Sequence, residues 1–279
     1  MTTFALRFPA SRYHATPWGR HVNEGEVEWP PSPWRLIRAL LATGFTRLGW
    51  TDVPAEARSL VDVLASALPS YRLPHGTLAH TRHYMPIITG RKQTTTKVID
   101  AFIRLDRTAD LLIHYPIELS ESETRLLEAL VGGLGYLGRA ESWVDGRLVP
   151  DHTPDSSWCV PLNGDVASAA DGETIALIAP ITAASYSAWY NHAVADALGR
   201  AEAAARARGG KLTGAQRRKA IAPYPVDILA CLLITTDSLQ REGWSDPPGS
   251  RRSLYQRPSD SLRRRAPRPP PRRRPSGTV

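Results

Sequence analysis

"EWPPSPWRLIRALLATG", Glu28–Gly44, sets two tryptophans and three prolines ahead of a run that reads at once as a helix. Ser32 stands where its hydroxyl can cap the first turn, and Pro33 falls at the first helical position, where a missing N–H costs nothing. From there Leu36, Ile37, Leu40, Leu41, Phe45 and Leu48 recur at spacings of three and four, the mark of one apolar helical face. The prolines therefore fix where this helix begins. Upstream, "TFALRF" (3–8) alternates well enough to be a strand that starts the fold. Downstream, a second helix is expected from Pro54 to Leu68, with Leu60, Val61, Leu64 and Leu68 inward.

Extended segments follow at "LAHTRHYMPII" (78–88), "KVIDAFIRL" (97–105) and "DLLIHYPI" (110–117), the first two separated by the polar loop "TGRKQTTTK". "LSESETRLLEALVGGLGYLG" (119–138) then offers a capping box, Ser120 with Glu123, ahead of an apolar helical face that Gly132, Gly133 and Gly135 end. "AESWVDGRLV" (140–149) reads as a strand with a turn at Asp145-Gly146. Strand, helix pair, strands, helix, strand is the order of a ferredoxin-like βαββαβ unit, so the fold class is α+β. We place this unit at 1–150.

A second α/β lobe or extension is expected at 151–245, with a strand at "TIALIAP", an Ala-rich helix from about Tyr186 to Arg208, a basic helix at "GAQRRKAI" and a strand at "VDILACLLI". Residues 246–279 are rich in Pro, Arg and Ser and read as a disordered Pro/Arg-rich linker or tail.

The net charge is +8, but ten arginines against one acidic residue give 251–279 alone +9 and leave −1 for residues 1–250. High basicity is thus no argument that the folded part binds nucleic acid, which requires a local patch. The two cysteines, Cys159 and Cys231, form no Cys-x-x-Cys pair, so neither a disulfide framework nor a common zinc spacing is available. We expect no metal and no cofactor. Absence of a long apolar run or a leader pattern at the N-terminus gives an expectation of a cytoplasmic protein without membrane contact.

Three stretches combine cations with aromatics. "RYHATPWGRHVNEGEVEWPPSPWR" holds Arg12, His14, Arg20, His21 and Arg35 among Tyr13, Trp18, Trp29 and Trp34. Arginines neutralise phosphates and aromatic faces stack on unpaired bases, a mixture suited to single-stranded RNA. The same composition also describes a surface loop pinned by its aromatics, with Trp29 and Trp34 as packing residues. "AHTRHYMPIITGRKQTTTK" carries Arg82, His83, Tyr84, Arg91, Lys92 and Lys97; strand alternation puts His80, Arg82 and Tyr84 on one face and His83 on the other. It is either a basic hairpin that grips a phosphate backbone or a solvated turn. "GYLGRAESW" presents Arg139 and Glu141 behind repeated glycines, which let backbone N–H groups approach a phosphate, though the Gly-Lys-Ser/Thr ending of a P-loop is missing.

Two His-x-Thr triplets, "HAT" at His14 and "HGT" at His75, open a rival reading. Paired imidazoles of this kind run acid–base chemistry in two-histidine 2′,3′-cyclic phosphodiesterases. A second rival is a non-catalytic protein–protein scaffold.

Taken together, "RYHATPWGRHVNEGEVEWPPSPWRLIRALLA", "HTRHYMP", "GYLGRAESW" and "GWSDPPGSRR" resemble the large RAMP-superfamily subunit of type I-U (I-G) CRISPR interference complexes, a fusion of a Cas-five-like and a Cas-six-like part. The resemblance spans roughly residues 3–256. It implies an RRM-type ferredoxin-like fold and a protein of antiviral defence that holds CRISPR RNA at its 5′ handle. Implied partners are the other subunits of the effector complex and, indirectly, target DNA. His14, Trp18, His21, Glu24, Trp29, Arg35, His83, Tyr84, Gly138, Arg139, Glu141 and Ser142 fall within the family-like blocks. On chemical grounds Arg12, Arg20, Arg82, Lys92 and Arg139 are the foremost RNA contacts. Family members are usually longer, with a processing half after "PPGSRR", so precursor cleavage by a metal-independent endoribonuclease is an activity this chain is expected to lack.

Overall fold

The computed structural model describes residues 1–20, 24–89, 92–162 and 171–264. Strand β1 (Thr2–Arg7) is followed by the two-residue β2 (Arg12–Tyr13) and by helix α1 (Pro33–Arg47). The Ser32 hydroxyl accepts from the Arg35 backbone N–H, and Pro33 opens the helix, as its sequence dictates. Leu36, Ile37, Leu40 and Leu41 are buried, each contributing about 1.5–3 kcal/mol relative to exposure. Helix α2 (Ala55–Ser66) buries Leu60, Val61 and Leu64 behind it.

Next come β3 (Ser70–Arg72), the long strands β4 (Gly76–Thr89) and β5 (Lys92–Arg104), β6 (Asp110–Tyr115), α3 (Glu121–Gly132) and β7 (Asp145–Val149). Both halves of the expected capping box form on α3: the Ser120 hydroxyl accepts from the Glu123 N–H, and Glu123 accepts from the Ser120 N–H at 2.9 Å. The first sheet has the order β3-β6-β1-β7, all pairs antiparallel. Numbered as a βαββαβ unit this is 2-3-1-4, the ferredoxin-like arrangement, and its second strand is the three-residue "SYR". The β4–β5 hairpin, taken from sequence as part of that unit, instead inserts between its second and third strands. It belongs to a separate sheet of order β11-β4-β5-β2. The turn expected at Asp145-Gly146 is absent; both residues lie in β7, opposite Arg7 and Leu6.

After β7 come β8 (Val160–Pro161), β9 (Gly172–Pro180), α4 (Ala183–Ala207), α5 (Gly214–Ile221), α6 (Ile228–Leu233) and α7 (Thr236–Arg241). "VDILACLLI", expected as a strand, is the short helix α6: the Asp227 carboxylate accepts from the Ala230 N–H at 2.6 Å and starts a turn that buries Ile228, Leu229 and Leu232. A larger revision concerns the supposed linker. Ser250–Pro258 is strand β10, the middle strand of a β8-β10-β9 sheet, and Leu262–Arg264 is β11, parallel to β4. Tyr255 is fully buried, and Arg257 donates to the Trp29 carbonyl at 2.7 Å and to Glu173 at 2.6 Å. Residues 265–279, outside the described residues, carry five arginines and no acid, leaving +3 for residues 1–264.

One continuous apolar core joins the parts. Helix α1 packs on α2 and α3 of the ferredoxin-like unit and on β9 and α6 of the extension. Its polar edge, with Arg35 and Arg38, overlooks the cleft described next.

Candidate nucleic-acid interface

The chain leaves β2 as residues 14–20 and runs beneath the segment between α3 and β7. Gly138 makes the approach possible: its φ is +88°, and a Cβ there would lie 2.4 Å from the His14 carbonyl oxygen. Arg139 N–H donates to that same carbonyl at 2.8 Å, and the His14 N–H donates to Ser142 Oγ at 2.7 Å. His14 Nδ1 lies 2.7 Å from Glu141 Oε1. Burial raises the Glu141 carboxyl, yet hydrogen bonds from its own backbone and from His14, with His14 and Arg139 nearby, hold it below the usual carboxylate range.

Between the 15–20 loop, α1, α7 and this turn opens a cleft of about 330 Å³. Arg20, Arg35, Arg38 and Arg139 line it, together with Trp18, Trp34 and Gln240. The four guanidiniums differ in how far they are already satisfied. Arg35 donates to Glu28 Oε1 at 2.7 Å and to the Thr16 carbonyl at 2.8 Å; burial opposes its charge, but the charge and hydrogen bond of Glu28 together with Tyr13 more than offset burial and hold it above the ordinary guanidinium range. Arg20 faces Glu24 at 3.3 Å and Glu26 at 3.1 Å. Arg38 donates to the Ile234 carbonyl at 2.6 Å, and burial followed by repulsion from Arg35 pulls its pKa down. Burial is the larger of these two causes, and a bound anion would oppose both. Arg139 has a loose contact of 3.6 Å with Asp100.

Asp100 connects the cleft to the β4–β5 ribbon. Its other oxygen lies 3.3 Å from His83 Nε2, and the register puts Thr81, His83, Asp100 and Phe102 on one ribbon face. Arg12, opposite Arg104, lies 3.9 Å above the Phe102 ring on that face. His80, Arg82, Tyr84 and Lys97 share the other face, as alternation predicts, and Tyr84 and Lys97 stand directly opposite each other, both exposed.

The expected residues therefore divide. His83 and Arg139 meet at Asp100, with Arg12 above Phe102 on the same ribbon face, and Arg20, Arg35 and Arg139 share the cleft. Arg82, Tyr84 and Lys97 lie on the far side of the ribbon. His14 is a correction: its ring is 3% exposed and serves as a strut between the loop and Glu141, not as a surface group. Arg35 is likewise largely committed to Glu28. Trp29 and Trp34 are buried packing residues. His21, Arg91 and the Lys92 side chain lie outside the described residues.

The two imidazoles required by the cyclic-phosphodiesterase reading do not meet. His14 is buried beside Glu141, whereas His75 is exposed in another cleft, with Nδ1 3.2 Å from the Asp260 carbonyl oxygen. Sequence reasoning missed Arg38, although its position three residues after Arg35 puts the pair on one edge of α1.

Among the described residues no helix is long and apolar enough to cross a membrane. No protein-family model and no curated protein matches the chain. Among solved structures, Thermus thermophilus Cas6 matches with 12% identity and a TM-score of 0.26 over 53% of each chain. The chain thus spans about half the length of that structure.

Proposed function

We propose that this protein binds single-stranded RNA across the cleft and the His83–Asp100–Arg12 face of the ribbon. As the sequence blocks imply, the RNA would be the CRISPR RNA of a type I-U (I-G) interference complex, held at its 5′ handle. On this reading its partners are the neighbouring subunits of that complex, and target DNA is met only through the RNA. One observation carries the proposal. Three segments far apart in sequence, 12–20, 80–100 and 135–143, meet through Arg139, whose backbone holds His14 and whose guanidinium reaches Asp100.

Phosphates need cations with donors to spare, and Arg38 and Arg139 are the least satisfied in the cleft. The test is binding of a labelled repeat-derived RNA, against a scrambled RNA of equal length, to the full chain and to a chain ending at Arg264. The shorter chain should keep its preference for the repeat. Arg38→Ala or Arg139→Ala should weaken it, each lowering the salt slope by about 0.7 per lost phosphate contact on a single strand. Loss of all affinity on removing 265–279, or no response to either substitution, would reduce the binding to attraction by the tail and sink the reading.

A further inference from the structure

The Gly-rich turn exposes two large aromatic rings that the fold does not use. Tyr136 and Trp143 are opposite each other in an isolated antiparallel bridge, flanked by Val144 N–H to the Gly135 carbonyl and Leu137 N–H to the Ser142 carbonyl, both at 3.1 Å. This is the narrow, non-hydrogen-bonded pair geometry, in which opposing side chains leave the same face close together. The neighbours on the other face, Leu137 and Ser142, are fully buried, whereas Tyr136 is 54% and Trp143 60% exposed.

The turn needs neither ring for its stability. It is held by Leu137 in the core and by the bonds of Arg139 and Ser142 to His14, and Gly138 fixes its closest approach. The pair is thus presented on a rigid base, so that little conformational entropy remains to be lost on contact. A cation accompanies it, because Arg139 lies within the same turn and is part-exposed.

We infer that Tyr136 and Trp143 form a stacking platform for unpaired bases of a single-stranded nucleic acid, with Arg139 on an adjoining phosphate. Two aromatic faces on a turn that also carries a guanidinium suit a strand that offers both a π-face and a charge at every nucleotide; a duplex hides the first. The inference rests on the RNA-binding reading and adds to it that recognition here is of bases and not of backbone alone.

The experiment measures affinity of the full chain for a single-stranded oligoribonucleotide, for its blunt duplex, and for an abasic strand of the same length. Trp143→Ala and Tyr136→Ala should each weaken single-strand binding by roughly tenfold, the usual worth of one stacked base. Trp143→Phe should retain most of the affinity, and the substitutions should leave abasic-strand and duplex binding unchanged. Because both rings are exposed, thermal unfolding should be the same for all variants. If Arg38→Ala weakens binding but neither aromatic substitution does, the platform is refuted while the RNA reading stands. If the wild-type chain binds no strand at all, both fall. If the substitutions instead abolish self-association in sedimentation and leave RNA affinity intact, the pair is a contact between copies and the platform is refuted.

Discussion

Gly138→Ala should be among the most damaging single-methyl changes outside the hydrophobic core. A side chain at φ +88° costs about 1–2 kcal/mol from left-handed backbone strain alone. The added carbon would also lie 2.4 Å from the His14 carbonyl oxygen and 3.0 Å from Ala15 Cβ, and neither neighbour is the free end of a flexible chain. The turn must lift, which breaks the 2.8 Å bond from Arg139 N–H to that carbonyl and forfeits roughly another 1 kcal/mol. Restricting the unfolded chain offsets some of this, about 0.4–1 kcal/mol. The net loss is about 1–2.5 kcal/mol, or roughly 2–10 °C in midpoint for a chain of this size. Circular-dichroism melts of wild type, Gly138→Ala and Arg139→Ala separate structure from function. Gly138→Ala should lower both the midpoint and RNA affinity, whereas Arg139→Ala should lower only the affinity. A Gly138→Ala midpoint within about 1 °C of wild type, well under the smallest shift expected, would show that the turn is not clamped on His14 and would remove the basis for a pre-organised interface.

Glu28→Gln should destabilise the chain by roughly 2–4 kcal/mol in denaturant titration, because it leaves the Arg35 guanidinium against a neutral group in a site where Glu28 is only 7% exposed. The value belongs at the low end of the range for broken buried pairs, since Arg35 keeps about a quarter of its side chain in solvent. For Glu123 the sign of the pH effect is set by its partners: the Ser59 hydroxyl, then the Ser120 N–H and hydroxyl, hold its carboxyl below the ordinary value. Its folded-state pKa is thus depressed, so its contribution is complete above the unfolded pKa and is lost as pH falls through the folded one. Stability measured from pH 7 down to pH 3 should accordingly fall less steeply in Glu123→Gln than in wild type, a window around the ordinary carboxylate values; an unchanged slope would refute the linkage. A chain ending at Arg264 should melt like the full chain, whereas one ending at Gly249 should lose cooperative unfolding, because it lacks β10 and the buried Tyr255 and Arg257.

The contrast between those two cut points shows where the sequence was legible. Helix α3 was readable because cap, apolar period and stop coincide in it, and α1 because cap and apolar period do, so several local signals agree. Strand β10 was hidden because its inward positions are Ser253, Tyr255 and Arg257. Alternation was present, but two of the three residues are polar, and the arginine is buried only because Glu173 and the Trp29 carbonyl await it. Composition cannot reveal a partner 84 residues away. "VDILACLLI" failed for a different reason: a short, almost wholly apolar run shows no period, and only the Asp227 cap distinguished helix from strand. The three residues of β3 lie below the length at which alternation can be recognised, so the strand order of the first sheet could not be completed from sequence.

The interface followed the same logic in reverse. Residue types located the three cationic stretches, since arginine, histidine and aromatics mark themselves. What they could not supply is which cations are already neutralised. Arg20 and Arg35 were chosen for their charge, yet both face carboxylates, while Arg38, hidden in a helix valued for its apolar face, has only a carbonyl. The useful quantity for an anion site is charge left over after folding, and this depends on pairings such as Glu28–Arg35 that arise from a loop folding back on a helix. It also explains why Tyr136 and Trp143 matter more than Trp29 and Trp34. All four are conspicuous in the sequence, but the latter two are used up in the core, and only the former pair reaches solvent on a turn whose stability comes from other groups.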